Sequence, residues 1–196
     1  MDPKAVSHAQ KRLDKARHAL VALEASTSLH QAEIAWSDFI SAASTIYSKL
    51  EQGAKTNGKS AAWFGRKKKE RKDDQLLSYI HHARNSDEHS ITDITHQEPG
   101  SWGIGGEGHY VINGWTGPGG KIDVTHLSGP PPFFYSADPA IRLVPVTDDR
   151  YGDRFDPPST HLGKDLSDQK PFTVASLAFD YLLDLVADAQ NLSRPS

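Results

Sequence analysis

Apolar positions at the start of the chain recur in alternating steps of three and four: Val6, Ala9, Leu13, Ala16, Leu20 and Leu23. That spacing lays one apolar stripe along a helix. Asp2 and Pro3 supply its N-cap and first-turn proline. Ser26-Thr27-Ser28 interrupts the rhythm, which returns as Leu29, Ala32, Trp36, Phe39, Ala43, Ile46 and Leu50, widened by Ile40 and Tyr47. Gly53 to Gly58 ends this second helix, and the short connection before it makes the two helices antiparallel neighbours. A third helix starts between Ser60 and Arg71 and runs to about Ile91 on Leu76, Leu77, Ile80 and Ala83. Ahead of it, Ala61–Gly65 reads as a separate helical turn that packs Trp63 and Phe64. The last helix opens at about Pro171 on Val174, Leu177, Ala178, Tyr181, Leu185 and Leu192, and Arg194-Pro195 ends it.

Between Glu98 and Gly163 the pattern changes. The stretches GIGGEG, GWTGPGG and SGPPP separate short β-branched runs, predicting strands at His109–Asn113, Lys121–His126 and Ile141–Thr147. Pro145 marks the last as an edge or bulged strand. The expected fold is mainly α: a four-helix up-and-down bundle with a small β-rich, Gly/Pro-rich insertion before the last helix. Residues 1–196 are expected as a single domain, with 1–94 plus 168–194 forming the bundle and 97–165 the insertion.

Composition narrows the chemistry. With no cysteine among 196 residues, disulfide frameworks, thiolate nucleophiles and cysteine zinc sites are excluded. The mean hydropathy is −0.57. No apolar run approaches the roughly 20 residues of a membrane span. The opening MDPKAVSHAQKRLDK lacks the apolar core of a secretory signal. A cytoplasmic protein without a membrane partner is the expectation. The net charge of −3 conceals an asymmetry: residues 1–90 carry 15 basic and 11 acidic residues, and residues 91–196 carry 7 and 14. Eleven of the 12 prolines and 12 of the 15 glycines follow residue 98, so two unlike kinds of structure share the chain.

The densest candidate chemistry runs from Arg66 to His89, RKKKERKDDQLLSYIHHARNSDEH. Six of the seven residues from Arg66 to Lys72 are Lys or Arg, a concentration of positive potential suited to a phosphate backbone. His81, His82, Arg84, Asn85 and His89 follow within a few turns and bring proton-transfer groups beside it. On an ideal helix Arg84 and His89 lie about 140° apart, so they share a face only through a bend, an early helix end or a curling arginine. Asn85 and His89 do share one, extended by His82 and Ser78, and that face is expected to point away from the bundle.

The string Arg84-Asn85-Ser86-Asp87-Glu88-His89 resembles the signature of the HEPN superfamily: an arginine, a polar residue, and a histidine separated from the arginine by four to six residues. Arg12–His18 and Arg154–His161 show compatible spacings. In the first, Leu13 fills the polar slot, and the second crosses a Pro-Pro loop, so Arg84–His89 is preferred. The resemblance covers the helical parts. It implies a metal-independent endoribonuclease, possessing no cofactor and no metal, whose site forms where two copies of a homodimer meet. Many members are toxins or antiviral effectors, which brings in a cognate antitoxin or partner protein beside RNA. His89 would carry the proton transfers, Arg84 would stabilise the phosphorane, and Asn85 would orient His89 or a phosphate oxygen. Lys67, Lys68, Lys69 and Lys72, with His82, would hold flanking phosphates. The alternative is a non-catalytic RNA-binding or protein-interaction module of the same fold.

Other motifs fit less well. Gly114 to Lys121 lacks the glycine spacing and the Ser/Thr of a phosphate loop, and GIGGEG has no dinucleotide-fold context. His81, Asn85 and His89 fall at four-residue steps, but no carboxylate motif completes a metal site.

Overall fold

A computed structural model of the chain describes residues 1–89, 95–98, 101–106, 111–116, 122–128, 133–137, 140–147 and 152–194. The helices are α1 (Pro3–Glu24), α2 (Leu29–Ala54), α3 (Gly58–Asp73), α4 (Gln75–His89) and α5 (Pro171–Ser193). Capping residues set their starts. The Asp2 carboxylate accepts from the Lys4 amide at 2.8 Å, Ser28 from Gln31 at 3.2 Å, and Asn57 from Ser60 at 2.9 Å.

The apolar stripe of α1 buries Val6, Ala9, Leu13, Ala16 and Leu23, with Ala19 in place of the half-buried Leu20. In α2 the buried face spreads to Ala35, Ile40, Ala42 and Tyr47, because this helix touches α1, α3, α4 and α5. The contacts α1–α2, α2–α4, α4–α5 and α5–α1 close a ring, which is the four-helix bundle. Trp36, Phe39, Ile46, Leu76, Leu182 and Leu185 are among its fully buried side chains. Gly53 lets α1 start close to the end of α2. A Cβ there would overlap the Ala5 Cβ, and the Asp2 amide donates to the Gly53 carbonyl at 3.2 Å.

Where the periodicity predicts one third helix, the structure has two. Asp74 is extended (φ −89°, ψ 128°), and its carboxylate caps α4 by accepting from the Leu77 amide at 2.9 Å. Aspartate offers the backbone a competing hydrogen bond and so favours a cap over a helix interior. Trp63 and Phe64 are buried within α3, not on a separate turn, and α3 lies outside the ring against α2 and α4.

The strands are short: β1 (Thr95–Glu98), β2 (Ser101–Gly105), β3 (Val111–Thr116), β4 (Ile122–Ser128), β5 (Phe133–Ala137), β6 (Ala140–Leu143), β7 (Val146–Thr147), β8 (Arg154–Phe155), β9 (Thr160–His161) and β10 (Lys164–Asp165). They divide between two compact units, residues 1–97 with 141–196 and residues 98–140. In the second unit β2 pairs antiparallel with β5, from Ser101 opposite Ala137 to Gly105 opposite Phe133. There β3 pairs with β4, from Val111 opposite Ser128 to Thr116 opposite Ile122, with a register shift at Asn113/Gly114.

The insertion is narrower than the 97–165 read from the pattern. Residues 141–165 belong to the helical unit, where Leu143 and Val146 are buried in its core. Gly and Pro content marks backbone that is not helical; it does not mark backbone that packs separately. In this unit β1 pairs with β6, and β7 pairs with β8. The hairpin β9–β10 turns on Leu162 (φ 47°) and Gly163 (φ 76°). Among the described residues no helix is long and apolar enough to cross a membrane.

Candidate functional site on the fourth helix

The core stripe of α4 is Leu76, Tyr79, Ile80, Ala83 and Ser86, the last 5% exposed. Arg84 and Asn85 lie beside that stripe and are half-buried. Asp87 accepts a hydrogen bond from the Ser37 hydroxyl at 2.5 Å, tying the last turn of α4 to α2. A second tie follows, from the Thr95 hydroxyl to the Glu33 carboxylate at 3.2 Å.

Arg84 Nη1 donates to Asn85 Oδ1 at 3.3 Å. The arginine therefore bends from its own side of the helix toward the Asn85 side, the curling that a 140° separation demands. Asn85 and the α4 terminus at His89 are four residues apart and share that side, about 40° from one another. The side chain of His89 lies outside the described residues.

Further back on the same face, the side chains do not stand in open solvent. His82 is half-buried, and its ring stacks on Phe155 with centroids 3.6 Å apart and planes 8° from parallel. The Tyr79 hydroxyl donates to the Val144 carbonyl at 2.8 Å. Gln75 Oε1 accepts from the Ser159 amide and hydroxyl at 3.3 and 3.1 Å. At the head of the helix, Asp74 takes the Leu162 amide at 2.7 Å and His161 Nδ1 at 3.0 Å. Residues 144–147 and 152–162 thus form a strap along the first half of α4. The face expected to point away from the bundle has one of its side chains, His82, stacked on Phe155.

Asp74 and His161 are both nearly buried, with side chains 7% and 10% exposed. Burial pushes the Asp74 carboxyl up. Hydrogen bonds from His161 and from the Leu162 and Leu77 amides outweigh that effect and hold it below the ordinary carboxylate range. An ionised carboxylate only accepts, so His161 Nδ1 carries the hydrogen. Sequence spacing presents His161 only as the partner of Arg154. No spacing in the sequence signals its neighbour Asp74, 87 residues away.

The basic run of α3 is engaged with acidic and aromatic neighbours. Lys67 lies 3.1 Å from Glu70, 3.9 Å from Asp188 and 5.5 Å above the Tyr181 ring. Lys68 pairs with Glu51 at 3.3 Å, and Lys69 pairs with Asp73. Arg71 lies over the Tyr47 ring at 4.4 Å, and burial lowers its pKa despite the neighbouring Tyr47 and Glu51. Tyr181 donates to Glu70 at 3.2 Å, and burial raises its hydroxyl pKa well above the ordinary range. Lys72 is exposed and makes no ion pair among the described residues. Of the lysines expected to hold phosphate, it alone has no such partner there.

Lys72 also lines an open cleft of about 460 Å³ between the start of α4 and the strap, with Asp73, Asp74, Arg154, Phe155 and Asp156 among its other walls. Among the described residues no group of three or more His, Asp or Glu side chains is placed to hold a metal ion. Comparison of the chain with protein-family models, curated proteins and solved structures returns no match.

Proposed function

We propose that the protein is a metal-independent endoribonuclease of the HEPN type, with a site on the last turns of α4 that a second copy of the chain completes. The observation that supports this reading is the Arg84–Asn85 contact, which carries the guanidinium toward the side of the helix that Asn85 and His89 share. In the reaction, a base at His89 takes the proton of a ribose 2′-hydroxyl, and that oxygen attacks the adjacent phosphorus. The 5′-oxygen leaves and takes up a proton, giving a 2′,3′-cyclic phosphate and a 5′-hydroxyl. Arg84 neutralises the charge that gathers on the phosphorane, and its planar fork suits two phosphate oxygens at once. Such an enzyme fits a cytoplasmic toxin or defence effector restrained by a partner protein.

RNA cleavage in EDTA tests the proposal. Arg84→Ala and His89→Ala are each expected to lower turnover by about 100-fold or more while the protein stays folded and dimeric by sedimentation. Undiminished cleavage in both variants overturns this site. A second reading is a non-catalytic RNA-binding or interaction module of the same fold, in which Lys72, exposed and without an ion pair among the described residues, is the lysine of the basic run left to meet a phosphate. That reading expects salt-sensitive RNA binding without cleavage products in the same assay.

A further inference from the structure

Lys4, His8, Lys11, Lys15 and His18 follow one another along α1 at steps of four and three. On a helix those steps hold all five within an arc of about 80°, across from the Val6, Ala9, Leu13 and Ala16 stripe that enters the core. All five are exposed. No acid falls inside the arc: Asp14 flanks it, and Glu24 points to the other side of the helix. Over the whole helix five Lys or Arg stand against two carboxylates. Among the described residues none of the three lysines is in an ion pair, unlike Lys67, Lys68 and Lys69 of α3. The row runs about 21 Å from Lys4 to His18.

The neighbouring helices leave this face open. α1 packs on α2 and α5. On α5 the residues that reach α1 include Phe179, under the Arg17 guanidinium at 5.6 Å, and Gln190, which donates to Gln10 at 3.0 Å. The α5 carboxylates Asp180, Asp184 and Asp188 fall on another flank, where Asp188 lies 3.9 Å from Lys67 of α3. At the start of α1, the bond from the Asp2 amide to Gly53 brings Lys55, two residues on and exposed, to the same end of the molecule as Lys4.

A row of this kind fits a partner with regularly spaced negative charge. Protein interfaces centre on apolar or aromatic anchors, and a helix that beds into lipid sets apolar side chains beside its cations. Single-strand binders stack bases on aromatic rings. α1 holds no aromatic residue, and its exposed Val21 lies outside the arc. A double helix, with its bases turned inward and its phosphates outside, needs none of these. We infer that the outer face of α1 docks the phosphate backbone of double-helical RNA. Lys4, Lys11 and Lys15 neutralise phosphates, and His8 and His18 each donate an N–H to a phosphate oxygen. No base is read, so binding is indifferent to sequence. The choice of RNA over DNA rests on the ribonuclease reading. α1 and α4 stand on a diagonal of the four-helix ring, so the docked duplex is held apart from the Arg84–Asn85 contact of the same chain.

The experiment reads fluorescence anisotropy of a labelled RNA duplex of about 20 base pairs, titrated with the full chain carrying Arg84→Ala. Lys4→Gln/Lys11→Gln/Lys15→Gln is expected to weaken binding by about tenfold or more and to reduce the salt slope by about three, one for each lysine. A second triple, Arg154→Gln/Lys164→Gln/Lys170→Gln, removes the same charge from exposed positions beyond α1 and is expected to bind as the parent does. The three α1 lysines are exposed, so an unchanged thermal midpoint separates lost docking from lost folding. Undiminished binding by the first triple overturns the docking face, as do equal losses from the two triples, which would mean that only net charge matters. Single-stranded RNA of the same length binding as tightly as the duplex, or a DNA duplex binding more tightly, overturns the choice of double-helical RNA. Phosphatidylserine vesicles are expected to leave the protein in solution; binding to them that the first triple abolishes assigns the face to a membrane and overturns the inference. A probe recovered intact by gel keeps the comparison independent of catalysis. Failure of the catalytic assignment is read separately, as single-stranded RNA cleavage that survives Arg84→Ala, so the two failures are distinguishable.

Discussion

Replacing Asp74 removes hydrogen bonds to two elements at once, the cap of α4 and the turn of the β9–β10 hairpin. Asp74→Ala is expected to cost about 2 kcal/mol or more, read from the urea midpoint, because charge-assisted bonds at a nearly buried site disappear together. The pH dependence follows from the depressed carboxyl. Its stabilisation is fully present above the unfolded value of about 4 and is lost as the pH falls toward the lower native value. Urea midpoints taken across the acid range should therefore decline below about pH 4 in the parent, with a flatter decline in Asp74→Asn. Leu162 raises the opposite expectation. It adopts φ 47° in a two-residue turn, a conformation that asparagine and glycine tolerate far better, while its side chain is 52% exposed. Leu162→Gly should stabilise the fold by about 1 kcal/mol, and a loss of stability would show that the exposed leucine packs against something in solution. None of this was legible in the residues alone. Asp74 falls inside what the periodicity takes for one helix, and only the fold makes it a cap and brings it to residues 161 and 162.

The helices were the most readable elements, because their stripes are long and periodic. Where the reading failed, it failed for local reasons. A run of polar residues gives no period across residues 65–74, so the break at Asp74 between α3 and α4 leaves no mark in the pattern. The same run reads as a solvated phosphate-binding face, whereas Lys67 and Arg71 lie over tyrosines of α5 and α2 and help dock α3. That difference predicts how the lysines behave on substitution. The Lys68–Glu51 and Lys69–Asp73 pairs are exposed, so Lys68→Ala and Lys69→Ala should each change stability by less than about 1 kcal/mol. Lys67→Ala should cost more than either, since its side chain is only 23% exposed and lies against Tyr181. Any drop in RNA affinity in Lys68→Ala or Lys69→Ala then reports on phosphate binding by that lysine. Removing one lysine that grips a phosphate should reduce the salt slope by about one.

For the whole molecule, the composition shift at residue 98 located the insertion's start and misplaced its end. Residues 141–165 still hold three prolines and two glycines, yet Leu143 and Val146 are core residues and the strap is bonded to α4. Composition registers backbone type, and the destination of the chain depends on a few apolar and hydrogen-bonding positions within it. Two deletions separate these roles. Because β1 and β6 pair, the chain ends at residues 97 and 141 belong to neighbouring strands, and a short Gly-Ser linker joins them. Removing 98–140 in this way should leave the thermal midpoint within a few degrees of the parent and, under the ribonuclease reading, retain cleavage. Removing 98–165 strips the partners from Asp74, Gln75, Tyr79 and His82 and takes two core side chains with them. It should lower stability by about 3 kcal/mol or more, read from the urea midpoint. Equal melting of the two deletions would mean that the strap contributes nothing to the bundle, and an unstable 98–140 deletion would mean that the second unit supports the first.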